Sequence, residues 1–199
     1  MSTPSLGERR LILASTSSFR RDLLARLGLP FEVRAPEAEE TRLPGEDAPK
    51  LVARLAELKA RAVACHEPAA LIIGSDQAAV LDEGIIGKPG DHEQAVAQLL
   101  RASGRTVTFY TGLCLLDSAS GYRQIAVESF RVVFRKLTPA WIDSYLRREQ
   151  PYQCAGSFKS EGLGIALFER LEGDDPTGLI GLPLIRLTRM LEAAGVAVL

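Results

Sequence analysis

Apolar and polar positions follow two rhythms along the chain. Residues 10–14 (RLILA) form a short unbroken apolar run, as in a buried strand, and the polar turn Ser15-Thr16-Ser17-Ser18 follows. The spacing of Leu23, Leu24 and Leu27 predicts a helix over about 19–28, stopped by Gly28 and Pro30. Residues 31–35 alternate as a strand, and the acidic, Pro- and Gly-broken stretch Pro36 to Pro49 reads as a loop. Leu51, Leu55, Leu58 and Ala62 predict a helix over about 49–66. Residues 70–75 (ALIIGS) read as a buried strand ended by Asp76, and Ala78–Leu81 with Gly84–Ile86 as a hairpin about Asp82-Glu83. A helix over 91–102 and two long β segments at 106–117 and 122–135 come next. Thr138 caps a helix over about 138–148, with Pro139 at its first position. Residues 163–171 fit a strand, and 181–194 a last helix carrying Leu184, Leu187 and Leu191.

Strand–helix alternation, then paired β segments, then helices implies an α/β fold with one mixed, strongly twisted sheet and flanking helices. A chain of 199 residues is expected to form a single domain, 1–199, of at most two lobes. At 46% hydrophobic and 25% charged it can build a core, and disorder is excluded as its main state. Its 24 basic and 25 acidic residues leave a net charge of -1, which argues against a nucleic-acid-binding surface. Attraction for a polyanion must come from a local pocket. Three scattered cysteines, none in a CxxC pair, point to a reducing compartment. No apolar run approaches the roughly 18 residues of a membrane span and no signal-peptide pattern opens the chain, so the expected location is the cytoplasm, away from membranes.

Five segments carry candidate chemistry. The turn Ser15–Ser18 followed by Phe19-Arg20-Arg21 places hydroxyls and guanidinium groups at a helix amino end, where free N–H groups attract anions. An ordinary serine cap with solvated arginines explains the same residues. Asp76 in Gly74-Ser75-Asp76-Gln77 stands after a buried strand, where α/β ligands gather; it fits a general base or a metal ligand, or equally a turn aspartate. Lys59, at the edge of a helical apolar stripe, and Lys88, in Gly87-Lys88-Pro89, fit phosphate charge or plain surface lysines. Glu37, Glu39 and Glu40 suit a hard dication such as Mg²⁺ or Mn²⁺, or solvated loop charge. The segment Cys154–Gly164 is rich in small residues that permit close approach of a ligand, and Cys154 itself reads as packing. His66 and His92 support neither a nucleophilic triad nor zinc, and no GxxxxGK[ST] loop occurs. One acid, several cations and an acidic loop together match phosphate-ester chemistry with a divalent ion.

The motifs LILASTSSFRRDLLARLGLPFEV, LAELKA, IIGSDQAAVLDEGIIGKP, LRASGRTVTFYTGL, CAGSFKSEGLG and GLPL span nearly the whole chain. Together they resemble the Maf-like nucleotide pyrophosphatase family. The resemblance implies a fold related to the inosine triphosphate pyrophosphatases, with a cleft between two lobes and a possible homodimer. It implies hydrolysis of nucleoside triphosphates to monophosphate and pyrophosphate with Mg²⁺ or Mn²⁺. Asp76 takes the family's proton-acceptor position, Ser15, Arg20, Lys59 and Lys88 its substrate-gripping positions, and Glu40, with Asp76, a metal-linked one. Phe19, Gln77 and Glu161 stand where pyrimidine-directed members carry Arg, Thr and Gln. In this they are most similar to the branch acting on 7-methyl-GTP. A 7-methylguanine ring is cationic, so Phe19 or Phe158 is expected to stack on it, and Glu161 to accept its two pairing-edge N–H groups. The alternatives are a pyrimidine-directed enzyme of the same fold, acting on UTP, dTTP or CTP, and a non-catalytic nucleotide-binding regulator of cell division.

Overall fold

The computed structural model describes residues 9–199. The strands are β1 (Arg10–Ala14), β2 (Glu32–Arg34), β3 (Ala70–Leu81), β4 (Gly84–Ile86), β5 (Thr106–Asp117), β6 (Arg123–Phe134) and β7 (Phe168–Glu172). The helices are α1 (Ser18–Ala25), α2 (Ala48–Ala64), α3 (His92–Ala102), α4 (Pro139–Glu149), α5 (Pro176–Ile180) and α6 (Leu184–Ala193). All seven strands join one mixed sheet in the order β2-β1-β3-β5-β6-β7, with β4 beside β3. β2, β1 and β3 run parallel, and the β3, β5, β6 and β7 pairings are antiparallel. Among the described residues no helix is long and apolar enough to cross a membrane.

Alternation along β3 and β5 explains the layers. Leu71, Ile73, Leu113 and Leu115 face α6, packing with Leu187 and Leu191. Ile72 and Cys114 face the other way, against Ala56 and Ala60 of α2. A third cluster, beneath α3 and α4, gathers Leu99, Phe109, Phe134, Ile142, Phe158 and Phe168. Helix α2 approaches the sheet closely at two glycines. A Cβ on Gly74 would lie 2.0 Å from the Ala56 carbonyl oxygen, and one on Gly112 2.1 Å from that of Val52.

Three expected boundaries change. The strand ending at Ser75 instead runs unbroken to Leu81, because Ser75, Asp76 and Gln77 pair with Leu113, Gly112 and Thr111. Polar side chains on a central strand look like a strand end in sequence. The predicted strand over 163–171 starts only at Phe168, because Leu163–Leu167 coils into a short 3₁₀ turn. The predicted helix over 181–194 is two helices. Gly181 takes φ +125° and Pro183 disfavours helical backbone before it. Asp175 caps both pieces, accepting from the Thr177 and Ile185 N–H groups at 2.9 and 2.8 Å.

The acidic loop ahead of α2 is fixed by one carboxylate. Glu46 accepts from Arg54 Nε and Nη2 at 2.6 and 2.7 Å and from the Leu43 N–H at 3.1 Å. Arg54 also reaches the Thr41 carbonyl at 3.0 Å. The Arg54 hydrogen bond, helped by the Leu43 N–H, holds the Glu46 carboxyl at about 2, well below the ordinary value.

Two measurements check these contacts. Gly74→Ala and Gly112→Ala each force α2 outward and lower the unfolding free energy in urea by about 1–3 kcal/mol, whereas Gly87→Ala, which meets nothing within 4 Å, stays within about 0.5 kcal/mol of wild type. A depressed folded-state value means that ionised Glu46 stabilises above its unfolded pKa of 4.5 and that this support fades as pH falls toward about 2. Thermal melts of wild type and Glu46→Gln are therefore expected to differ most near pH 7 and to converge below pH 4.5. A gap of constant size down to pH 2.5 contradicts the anchoring role.

Candidate active site

Strand β3 has a gap along one edge. β1 pairs with it only from Arg10↔Ala70 to Ala14↔Gly74, and β4 takes over only at Ala79. Residues 75–78 therefore have no strand neighbour on that side. The gap lies at the carboxyl end of β1, with β2 on one flank and β3 on the other. α1 packs on one face of the sheet and α2 on the opposite face. Chains leaving such a strand end diverge and open a crevice, the general ligand position of open α/β sheets. A cavity of about 540 Å³ fills it.

Each residue matched to a family site position reaches this cavity, whereas Glu37 and Glu39, the other acidic-loop candidates, do not line it. Ser15, Phe19, Arg20, Glu40, Lys59, Asp76, Gln77, Lys88 and Glu161 all line it. The central contact joins α2 to β3. Lys59 Nζ, almost wholly buried, lies 2.6 Å from Asp76 Oδ1 and 2.9 Å from Glu40 Oε1. Lys88 stands exposed after β4 and makes no ion pair among the described residues. Gln98 of α3 fixes its loop by donating to the Gly87 carbonyl at 3.1 Å.

The amino end of α1 forms the opposite wall. Ser17 caps the helix, and Ser15 Oγ accepts from the Ser17 N–H at 3.1 Å. The first N–H groups of a helix, here those of Ser18 and Phe19, find no partner inside it. Arg20 bends back, its Nε donating to the Gly181 carbonyl at 2.8 Å, and leaves its terminal nitrogens toward the cavity with Nη1 3.5 Å from Ser15 Oγ. Burial pushes its pKa down while the charges of Asp76 and Glu40 push it up; the guanidinium remains cationic because its ordinary value lies far above neutrality. Arg21 points to solvent and pairs with Asp22.

The structure changes the expected roles of three residues. Phe158 borders the cavity but leaves little of its ring exposed. It is buried among Phe109, Phe134 and Phe168, with ring centroids 5.3, 5.6 and 4.8 Å away, all edge-to-face. Phe19, 37% exposed, is the available ring. Gln77 is tied to the fold. Its Nε2 donates to the Thr111 hydroxyl at 3.0 Å and to the Gly178 and Leu179 carbonyls at 2.8 and 3.0 Å. Only its Oε1 is left for a ligand. Asp76 is no turn aspartate, since it sits mid-strand and its bond goes to Lys59. Cys154, expected to serve packing, also lines the cavity, and burial raises its thiol pKa.

Sequence reasoning missed Gln153, Leu179 and Ile180, which also line the cavity, and the role of Ser75, which holds α5. Ser75 Oγ lies 2.9 Å from the Gly112 carbonyl and 3.0 Å from that of Gly181. No local pattern marks a serine inside an apolar strand as a cross-chain donor. Asp175-Pro176 did carry a signal, because Asp before Pro is a common helix start.

Among the described residues no three His, Cys, Asp or Glu side chains cluster as a self-sufficient metal site. Asp76 and Glu40 nevertheless converge on one ammonium, each with one oxygen bonded to it. Two converging carboxylates fit a hard dication that completes its shell with water and phosphate oxygens.

A 7-methyl-GTP pyrophosphatase of Nitrosococcus oceani is 61% identical over 199 residues, covering all of both chains. One of Polaromonas sp. is 57% identical over 95% of this chain and 86% of its own. The Ham1 protein of Staphylococcus aureus overlays with a TM-score of 0.46 at 16% identity, covering 64% of this chain and 73% of its own. The family profile described as Maf-like protein matches residues 10–194, and the chain belongs to that family.

Proposed function

We propose that this chain hydrolyses 7-methyl-GTP to 7-methyl-GMP and pyrophosphate. The observation that carries the reading is the pairing of an acid with cations in one crevice: Asp76 on Lys59, with Arg20 and Lys88 lining the same cavity. Relatives carrying that activity in their names match end to end.

Asp76 keeps Oδ2 free while Oδ1 holds Lys59, so it can accept a proton from water or hold water in line. The water oxygen attacks the α-phosphorus, the bond from that phosphorus to the α–β bridging oxygen breaks, and pyrophosphate leaves. Lys59, Arg20 and Lys88 offset the charge that builds on the phosphates. The free N–H groups of α1 add neutral donors to the same task. Asp76 and Glu40 would hold Mg²⁺ or Mn²⁺, which when bound neutralises phosphate charge.

Base selection falls to Phe19 and Glu161. The exposed Phe19 ring suits a cationic base. Among the described residues the Glu161 carboxylate accepts only from the Ser160 hydroxyl, at 3.3 Å, so most of its acceptor capacity is open. Two N–H groups on the guanine pairing edge match it, and the O2 and O4 of uracil do not.

Pyrophosphate release with Mg²⁺ or Mn²⁺ tests both halves of the reading. Asp76→Asn is expected to lose on the order of 10²-fold or more in kcat while remaining folded. Wild type is expected to prefer 7-methyl-GTP over UTP and dTTP, and Glu161→Gln to narrow that preference. A wild type that favours UTP makes the pyrimidine-directed reading correct, and one that binds nucleotide but releases no pyrophosphate makes the chain a binding protein.

A further inference from the structure

The segment that carries Glu161 is held from behind by α4. Glu149, the last residue of that helix, does not line the cavity. Its Oε2 accepts from the Leu163 N–H at 2.9 Å. Its Oε1 lies 3.4 Å from Lys159 Nζ, and the same ammonium donates to the Glu149 carbonyl at 3.0 Å. One turn earlier, the Tyr145 hydroxyl accepts from the Lys159 N–H at 3.0 Å. One helix end therefore ties both sides of a short arch, Lys159 on one side and Leu163 on the other. Only Ser160, Glu161 and Gly162 lie between them.

The arch is close-fitted to that carboxylate. A Cβ on Gly162 would sit 2.9 Å from Glu149 Oε2, and one on Gly164 would sit 2.2 Å from the Lys159 carbonyl oxygen. Among the described residues the Glu161 side chain makes no long-range hydrogen bond or ion pair, its one hydrogen-bond partner being its neighbour Ser160. Its position is inherited from the arch, and the arch from Glu149. A carboxylate tip aimed at two N–H groups needs placement within a fraction of an ångström.

We infer that Glu149 is the positioning residue for base selection, acting through the Lys159–Leu163 arch on Glu161. The inference rests on the reading that Glu161 meets the base. Glu149 bonds Lys159 and Leu163 and does not line the cavity that holds Asp76 and Lys59, so its loss moves recognition rather than the hydrolytic step.

The test combines steady-state kinetics on 7-methyl-GTP and UTP with amide hydrogen exchange, for wild type, Glu149→Ala, Glu149→Gln and Glu161→Gln. Glu149→Ala is expected to raise KM for 7-methyl-GTP by on the order of tenfold, leave kcat within about twofold, and speed exchange at the Leu163 amide. Glu149→Gln keeps an acceptor for that amide and is expected to shift KM in the same direction by about threefold; it carries the test if the alanine variant does not fold. A Glu149→Ala protein with a fast Leu163 amide but unchanged KM and preference overturns the inference. So does an equal loss of kcat on both substrates, which marks a merely structural role. If Glu161→Gln alters the preference and neither Glu149 variant does, only the positioning role fails. If Glu161→Gln is silent, the reading of Glu161 fails and the inference falls with it.

Discussion

Everything at the site depends on how closely α2 lies on β3 and β5. Two glycines, Gly74 and Gly112, leave no side chain where the helix backbone crosses the sheet. That approach brings the Lys59 stem down over a strand and sets its ammonium on Asp76. Longer residues there would hold the helix off, and the ammonium would move away from its acid. The contact lies where β1 has ended and β4 has not begun, so the same few residues are both close-packed beside the sheet and open toward solvent. Removing two opposite charges from water is unfavourable unless they compensate one another, and the Lys59–Asp76 pair meets that condition at 2.6 Å.

Strand alternation divides the labour across the sheet. Asp76 faces α2 and the cation; Ser75 and Gln77 face α5, where they bond backbone carbonyls. Gly181 is the shared acceptor, receiving from Ser75 Oγ and Arg20 Nε. The arginine is thus oriented by a carbonyl that the strand itself helps to fix, and α5 is placed by Asp175. A strand, two helix ends and one turn form a single hydrogen-bonded unit beneath the crevice. This unit restrains the anion-facing groups before any substrate arrives, which is what electrostatic stabilisation of a phosphate requires.

The order of strands and helices along the chain was legible in the sequence, but the order of strands in the sheet and the gap beside β3 were not. Periodicity located β1, α3, β5, β6 and the Thr138 cap within a residue or two, because those elements bury one face against a continuous core. It misplaced the end of β3 because Ser75, Asp76 and Gln77 obey long-range pairing with β5 that no local pattern encodes. The candidate residues came together in one cavity, as their chemistry implied. The reach of each did not follow from its type. Phe158 and Phe19 are the same residue in sequence, yet one is locked among three rings and the other stands open. Gln77 has the functional groups to read a base, yet its amide is consumed by α5.

The acids sort themselves by how much of their acceptor capacity is spent. A carboxylate offers about four lone-pair sites. Glu46 takes two guanidinium donors and an amide, and Asp175 takes two amides and a hydroxyl. Glu149 uses one oxygen on an amide and the other on an ammonium. Each of these three pins a segment that borders the cavity. Among the described residues Asp76, Glu40 and Glu161 each have one oxygen without a partner, and all three line the crevice. Anchoring and chemistry thus use the same functional group differently: carboxylates with both oxygens bonded hold backbone still, and those with one oxygen open await a proton, a cation or an N–H edge. Within the second set, Glu40 and Glu161 face the crevice from segments that Glu46 and Glu149 of the first set hold by backbone hydrogen bonds.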